Sequence, residues 1–375
     1  MNGTLDSTMS TTMILLLTVI LIPLIGVMMA ITPYLMKKSE CFTVTVPEAA
    51  LKDPYLVRLK RRYLALMLAV TVVMTVVAVV LAVVSSEFAI IIMLTVGSLL
   101  LILIGYGAML YNRSKVRTYK KQQDWEAVQQ ESVAFIGNKG IPGALSLKWD
   151  LLYLPVIALT LIIGYAGYPS MPDQIPTHMD FSGQINGYMD KSPMVIWMVV
   201  LIQLFIALCF VFSHWMILRS KRGSNPNAPA TSDLAYGLFA RAQSIYLVAL
   251  GLIICILMVT MQLSFMGVVT IMQSALFIMV GAIIAVVGGI AIAVVYGQGG
   301  ARVFARMQES STLLADDDSH WKLGVFYYNP QDPSLFLLER FGVGWTVNFA
   351  RPAVWVIMIA FVVVTVGFMV AMLMM

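Results

Sequence analysis

Four ionisable side chains lie close together in a short proline-rich stretch, residues 168–192. They are Asp173, His178, Asp180 and Asp190. An imidazole among carboxylates can bind a ligand or coordinate a metal ion, whereas aspartates in turns commonly accept hydrogen bonds from the backbone. One histidine with scattered aspartates is weak spacing for a metal, so the sequence predicts no metal site. A ligand site and turn chemistry are the two interpretations left open.

The same stretch has the composition of an ordered loop. Pro169, Pro172 and Pro176 restrict the backbone, and Gly183 and Gly187 permit tight turns. Loops held on a rigid scaffold often carry binding residues. We therefore expect a structured cap that presents the four ionisable side chains.

The second candidate surface is an aromatic polar segment, residues 310–351. Disordered segments are poor in aromatic residues, so this composition predicts an ordered module. Trp321, Tyr327, Tyr328 and Trp345 are its candidate partner-binding residues. The alternative is an interfacial belt, in which the aromatic rings only anchor the chain at the lipid headgroups.

Two shorter patterns lie within this aromatic segment. The run Asp316–Asp318 with His320 could bind a cation or begin a solvated helix, and the absence of calcium-loop spacing favours the helix start. Phe341, Trp345 and Phe349 recur at helical spacing just before the last apolar stretch, which also fits an interfacial helix.

The apolar stretches of the chain hold little catalytic chemistry. Their cores contain no Asp, Glu, Lys or Arg, and Glu87 and Asp150 lie at boundaries. Gln203 is of a type that bonds between helices, and His214, beside a tryptophan, is expected to be an interfacial anchor. No zinc motif, nucleophile elbow or phosphate loop is present. The sequence predicts neither an enzyme nor a bound cofactor.

Apolar helices are the elements that must position these residues. The chain is 60% hydrophobic and only 11% charged, whereas a soluble domain carries about a quarter charged residues. A helix needs about 20 apolar residues to cross a bilayer. Eight stretches qualify: residues 12–35, 63–85, 88–111, 149–167, 193–217, 237–263, 266–296 and 352–375.

Basic residues alternate from loop to loop along the chain. They concentrate in residues 36–62, 112–148, 218–236 and 297–351, while each intervening loop has none or one. Because Lys and Arg mark cytoplasmic loops, eight spans with both termini extracellular satisfy the alternation. The net charge of +5 then reflects this bias and does not indicate direct binding to nucleic acid.

We therefore predict an all-α integral membrane protein. It would be an eight-helix transmembrane bundle with a short extracellular cap loop and a small cytoplasmic module. Its predicted parts are three N-terminal helices with a basic loop (1–111), a juxtamembrane segment with a helix-prone run (112–148), a helix–loop–helix (149–217), a linker with two helices (218–296), the aromatic module (297–351) and the last helix (352–375).

The cap sequence resembles the signature of the SdpI-type family of bacterial membrane proteins. The resemblance covers about residues 150–200 and depends on Tyr168-Pro169, Pro172-Asp173-Gln174-Ile175-Pro176-Thr177-His178, Gly183, Gly187-Tyr188 and Lys191-Ser192, in that order. Met179 and Asp180 depart from the pattern, since the family usually has an aromatic residue and Asn there. Residues 316–351 resemble a small uncharacterised domain that accompanies this loop in longer members.

The resemblance implies an immunity or sensor protein of the bacterial plasma membrane. The cap would meet a secreted toxin, a peptide or an envelope signal outside the cell. The aromatic module would hold a regulatory protein inside, and membrane lipids would be the other partner. The alternative function is a transporter or flippase for a lipid or peptide, although span cores without Asp or Glu argue against ion coupling through side-chain carboxylates.

Overall fold

The computed structural model of the chain describes residues 20–37, 39–84, 87–125, 141–179, 184–222, 228–307 and 317–374. Nine α-helices lie within them: α1 (Ile20–Leu35), α2 (Pro54–Val84), α3 (Glu87–Gln122), α4 (Tyr153–Gly167), α5 (Pro193–Arg219), α6 (Pro229–Phe265), α7 (Ile271–Tyr296), α8 (Ala301–Met307) and α9 (Pro352–Met374). Apolar segments become helical in lipid because a helix satisfies its own backbone N–H and C=O groups. Proline begins α2, α5, α6 and α9, a position where its missing N–H removes no intrahelical hydrogen bond.

Seven of these helices, α2–α7 and α9, are long and apolar enough to cross a membrane. Helix α1 is apolar but shorter, because the predicted span at residues 12–35 is described only from Ile20 onward. The architecture is that of an all-α, multi-pass membrane protein, as predicted. The described residues contain seven helices of spanning length, not the predicted eight.

Short antiparallel hairpins, which the sequence analysis did not predict, lie between the helices. Their strands have two to six residues, too few for a hydrophobic alternation to be visible in the sequence. Within the described residues they form four two-stranded sheets. The pairs are β1 (Glu40–Cys41) with β2 (Val44–Thr45), β3 (Gln174–Met179) with β4 (Ile185–Asp190), β5 (Trp321–Lys322) with β6 (Phe326–Tyr327), and β7 (Phe336–Leu338) with β8 (Trp345–Val347).

The chain divides into two compact units, each assembled from three separate segments. The first unit comprises Met1–Ile141, Lys221–Tyr236 and Ala293–Ala350, and the second comprises Pro142–Ser220, Gly237–Ile292 and Arg351–Met375. The basic loop and the aromatic segment therefore belong to one unit, and the proline-rich cap belongs to the other.

The core of the first unit is built on the β1–β2 hairpin. Phe42 and Thr43 form its two-residue turn with φ angles of +47° and +62°, which residues other than glycine rarely adopt. Packing holds the turn, because Phe42 is fully buried and its ring meets that of Tyr63 edge-on, with centroids 5.5 Å apart. Buried Leu56 and Met109 belong to the same apolar cluster, so α2 and α3 support the turn.

In the second unit, α4 packs against α5 and the β3–β4 hairpin connects them. Buried Ile175 of β3 lies in one apolar cluster with Val195 of α5 and Phe265 of α6. The Gln203 side chain donates to the Cys255 carbonyl at 2.8 Å, which is the interhelical bond expected of a glutamine in a span. The hairpin therefore stands on a packed helical base.

The predicted juxtamembrane helix is a continuation of α3. The helix runs without a break from the apolar stretch to Gln122, because no glycine or proline follows Gly107 before that point. The predicted juxtamembrane segment extends to residue 148, and its residues 126–140 lie outside the described residues.

The predicted interfacial helix before α9 is wrong. Trp345 belongs to β8, whose residues pair with β7, and Phe341 lies in the bend between those strands. Gly342 has a φ of +128°, a value that only glycine adopts readily and that is incompatible with a helix. The helical spacing of the three aromatic residues is therefore a coincidence, because they lie in a strand and in turns and not in a helix.

Candidate functional site

The predicted cap is the β3–β4 hairpin. Ile175 and Met189 pair across it and both pack into the apolar cluster at the start of α5. His178 lies opposite Gly187. Glycine is needed there, because a Cβ at position 187 would lie 2.7 Å from the Cβ of His178. The proline-rich arm therefore leads into a hairpin with one anchored face, whose register shifts on both sides of His178.

Asp173 and Asp190 lie at the open end of this hairpin, and both are exposed. The Asp173 carbonyl accepts a hydrogen bond from the Lys191 N–H at 2.9 Å. The Asp190 carboxylate accepts one from the Gln174 side chain. These contacts close the hairpin at its base.

His178 lies further along β3, four residues from Gln174, or about 13 Å at the usual rise of a strand. Its Nδ1 bonds to the Asn186 side chain across the hairpin. Asp180 lies outside the described residues. The structure thus does not bring His178 together with Asp173 and Asp190, and the described part of the chain holds no group of three potential metal ligands.

Lys191 has a role that the sequence analysis missed. Its Nζ donates to the carbonyls of Pro169 and Met171 at 3.2 and 2.7 Å, and it lies 5.3 Å from the centroid of the Tyr168 ring. It therefore ties the proline-rich arm to the base of the hairpin. A lone basic residue beside prolines was the only signal in the sequence.

The hairpin leaves its strand edges unpaired. Each of its strands has one partner within the described residues. Strand β3 contains Pro176, which lacks an N–H, whereas β4 has no proline. Ile185 and Tyr188 of β4 are 38% and 56% exposed. The edge of β4 is therefore the more complete template for a further strand.

Residues 317–350 of the aromatic module are organised around Arg340. This side chain is only 3% exposed and its guanidinium meets three carboxylates, those of Asp317, Asp318 and, at 3.7 Å, Glu40. It also donates to the Thr43 carbonyl at 2.8 Å. Arg340 thereby joins the module to the β1–β2 hairpin within the first unit.

Asp318 is the acidic centre of this cluster. Besides Arg340, it accepts hydrogen bonds from the Thr45 backbone N–H at 3.0 Å and from Lys120 Nζ, also at 3.0 Å. The run Asp316–Asp318 was predicted to be a cation site or a solvated helix start. Asp318 does begin a short 3-10 helix, Asp318–His320, but that helix start is buried and not solvated. Protein cations and a strand N–H already occupy the Asp318 carboxylate; Asp316 lies outside the described residues.

The pKa values of the cluster follow from burial and pairing. Burial alone would raise the pKa of Asp318, but Arg340 and Lys120 override it and the pKa falls to about 2. Burial would lower the pKa of Arg340, yet the carboxylates around it raise that pKa above its usual range. Burial raises the pKa of Glu40, and Arg340 offsets this only in part. The ion pair of Arg340 with Asp318 is therefore the charged centre.

The four predicted partner-binding residues separate into two groups. Trp321 and Tyr327 are buried and form a small core with Leu337, and Arg340 lies 5.0 Å from the centroid of the Trp321 ring. Trp345 is half-buried, and Tyr328 is 48% exposed. Only Tyr328 among the four is thus an exposed residue.

Asn348 holds two turns of the module in place. Its side chain accepts from the Asn329 N–H at 3.0 Å and donates to the Asn329 and Asp332 carbonyls at 2.9 and 3.0 Å. Burial would raise the pKa of Asp332, but hydrogen bonds from Lys221 and Ser334 lower it to about 2. The segment therefore has a hydrogen-bonded fold of its own. It is more than a row of aromatic residues that anchor the chain at the membrane.

A buried pair in the second unit corrects the prediction for His214. This residue is fully buried and is not an interfacial anchor. Its Nδ1 lies 3.0 Å from Asp150 Oδ2, and its Nε2 lies 2.9 Å from the Leu145 carbonyl. Both contacts are to oxygen atoms, so the imidazole connects α5 to the segment that precedes α4. The partner of His214 was hidden because it lies 64 residues away.

Comparison with known families finds a match at the β3–β4 hairpin and another at the aromatic module. Residues 155–204 match the domain of unknown function DUF1648. The matched stretch contains most of α4, the whole β3–β4 hairpin and the first part of α5. Residues 330–355, with β7, β8 and the start of α9, match the family of unknown function DUF5808. No curated protein and no solved structure matches the chain. Both matches cover small domains, so the resemblance to the SdpI-type family is still a prediction.

The carboxyl group of Glu339 should make the stability of the folded protein depend on pH. Burial raises the pKa of its carboxyl from 4.5 to about 7, so the folded protein favours the neutral form. The resulting stability is complete below pH 4.5 and is lost as pH rises toward 7. We expect Glu339→Gln to flatten this slope, making the variant melt a few degrees above the wild type at pH 8 and equally at pH 4.5. Melting curves of the purified protein in detergent test this, and an unchanged slope would contradict it.

Proposed function

We propose that the chain is an immunity or sensor protein of the bacterial plasma membrane that meets an extracellular peptide, toxin or envelope signal through the β3–β4 hairpin. The observation that carries the proposal is the hairpin itself. It is an exposed two-stranded sheet, anchored on one face by Ile175 and Met189, with an edge free of proline on β4.

The proposed topology has eight spans and both termini outside the cell. Basic residues in alternate loops support this orientation. It puts the hairpin on the extracellular side and the aromatic module on the cytoplasmic side. The first of the eight spans, residues 12–35, includes residues outside the described range.

The recognition mode that suits such a hairpin is strand addition. An isolated two-stranded sheet is only marginally stable in water, and a third strand would satisfy the unpaired N–H and C=O groups of β4. Main-chain hydrogen bonds would supply affinity, while the exposed Ile185 and Tyr188 side chains would select the sequence of the peptide. The ligand class is therefore an extended peptide or an extended segment of a protein toxin.

The output side of the proposal is the aromatic module. Tyr328 and Phe326 are 48% and 45% exposed and offer a regulatory protein a small aromatic surface. The module leads directly into α9 through Arg351 and Pro352. Contact with lipid headgroups alone is the alternative use of these rings.

The experiment that tests the function is a protection assay. A deletion strain would be complemented with wild type, Tyr188→Ala or Ile185→Ser, and challenged with secreted antimicrobial peptides while transcription of neighbouring genes is followed. We expect both variants to lose about tenfold or more of the protection, since truncating one of the few anchor residues of an interface costs about 2 kcal/mol or more. Ile175→Val is the matched control, because it keeps the buried anchor of the same hairpin.

Two further measurements make the result decisive. Tyr188→Cys, in a background without the three native cysteines, should react with an impermeant thiol reagent on intact cells, and membrane levels of all variants should be equal. Full protection by both Tyr188→Ala and Ile185→Ser would remove the hairpin as the site. A deletion phenotype seen only as altered uptake or lipid distribution would favour the transporter or flippase alternative.

A further inference from the structure

A groove runs along one face of α3 at the end of its apolar stretch. Its lining residues recur every third or fourth position from Leu110 to Lys121, and Leu323 of the β5–β6 turn closes it. Its volume is about 480 Å³, within the range of small-molecule sites. The groove lies wholly within the first unit.

Three cations line this groove. Arg113 is buried and its guanidinium is fixed by the carbonyls of Thr43 and Trp321. Arg117 and Lys121 are exposed, and neither forms an ion pair with any described residue. Positive charge is therefore concentrated in a concave site, and no carboxylate is among the described residues that line it.

Two hydroxyl groups lie between these cations. Ser114 and Thr118 are on the same face of α3, one residue beyond Arg113 and Arg117. The Thr118 hydroxyl donates to the Ser114 carbonyl at 3.2 Å, and both hydroxyls are exposed. Guanidinium, ammonium and hydroxyl donors in one concave site are the set that binds a tetrahedral oxyanion, because guanidinium donates two parallel hydrogen bonds to phosphate.

The position of the groove indicates where such an anion would come from. The apolar part of α3 ends near Tyr111, which is 63% exposed and carries Lys115 over its ring at 4.4 Å. Tyrosine and lysine in this arrangement are typical of the lipid headgroup layer. One end of the groove is apolar, at Leu110, and the other is basic, at Lys121, as an amphiphile with a phosphate headgroup requires.

We propose that this groove is a binding site for a phosphate-bearing anion, with the phosphate between Arg113, Arg117 and Lys121 and an anionic phospholipid as its source. The site touches both α3 and the aromatic module, since Tyr106 donates to the Leu323 carbonyl at 3.1 Å and Arg113 to the Trp321 carbonyl. A bound headgroup would therefore stabilise the attachment of the module to α3. The proposal is independent of what the hairpin recognises.

The test uses the purified full chain and two probes. Native mass spectrometry in detergent would measure binding of a short-chain phosphatidylglycerol, and inorganic phosphate would be the soluble probe. We expect the double variant Arg117→Gln, Lys121→Gln to bind phosphatidylglycerol about tenfold more weakly or worse, since each basic residue contributes about 1 kcal/mol at an anionic surface. The double variant Arg58→Gln, Arg61→Gln is the matched control, because it removes two exposed cations of α2 in the same unit.

The outcomes separate the sources of the anion. Weaker lipid binding by the groove variant alone supports the lipid site. Binding of inorganic phosphate with the same variant dependence, and no preference for the lipid, supports the phosphate site with a soluble source. Equal losses in both double variants, or no loss in either, would overturn the proposal. Both variants change exposed residues, and their melting temperatures should match that of the wild type.

Discussion

Replacing Arg340 with glutamine is expected to lower the free energy of unfolding by about 3–5 kcal/mol, the usual effect of removing one partner from a buried ion pair. The variant would leave Glu40 buried without its cation, Asp318 with Lys120 alone, and the Thr43 carbonyl without one of its donors. A glutamine cannot replace the guanidinium, because it carries no charge and has two donor hydrogens instead of five.

Thermal unfolding of the purified protein in detergent measures this effect, with limited proteolysis of the aromatic module as a second readout. Arg306→Gln is the matched control, since Arg306 is an exposed arginine of the same unit and its loss should change stability by less than about 0.5 kcal/mol. The double variant Arg340→Gln, Asp318→Asn should be less damaged than the sum of the single variants predicts, because the two side chains are coupled. Equal stability of Arg340→Gln and wild type would show that the cluster does not hold the module.

The second large effect is expected at the buried pair of the other unit. His214→Ala would leave the Asp150 carboxylate and the Leu145 carbonyl without this hydrogen-bond partner, and each buried acceptor left unsatisfied costs about 1–3 kcal/mol. Asp150→Asn should cost less, because an amide can still accept a hydrogen bond from the imidazole. If His214→Ala does not fold, the milder variant Asp150→Asn still tests the pair.

Temperature-dependent size-exclusion chromatography in detergent is a suitable measurement for this pair. Arg219→Gln is the control, since Arg219 lies in the last turn of the same helix and is exposed. We expect His214→Ala to melt well below both Arg219→Gln and the wild type. If His214→Ala and Arg219→Gln melt together, His214 is the interfacial residue that its neighbours in the sequence suggested.

The helical framework could be predicted from the sequence because its signal is local. A run of about 20 apolar residues indicates a span wherever it occurs, and helices α2–α7 and α9 follow such runs. The ordered aromatic module was predicted for a similar reason, since turn residues and aromatics lie within one short segment. The first span was described only in part, so the predicted count of eight was not reached.

The contacts that organise the sites could not be predicted because they are distant in sequence. Arg340 and Thr43 are separated by 297 residues, and both His214 and Asp150 have neighbours that suggest a membrane boundary. Arg113 and Lys120 were counted only as basic loop residues that set the orientation, although each bonds within the buried cluster. Charge counting records the sign of a side chain and gives no information on its partner.

The separation of Arg340 from the β1–β2 hairpin has a consequence for biosynthesis. A ribosome adding about 5–20 residues each second needs about 15–60 seconds to travel from Thr43 to Arg340. During that interval Glu40 must stay hydrated or be held by an insertion factor, since its cation, Arg340, does not yet exist. A nascent chain that stops before residue 317 would leave the Glu40 carboxylate of this hairpin without its cation. Quality-control proteases could therefore distinguish finished from unfinished copies by this one hairpin.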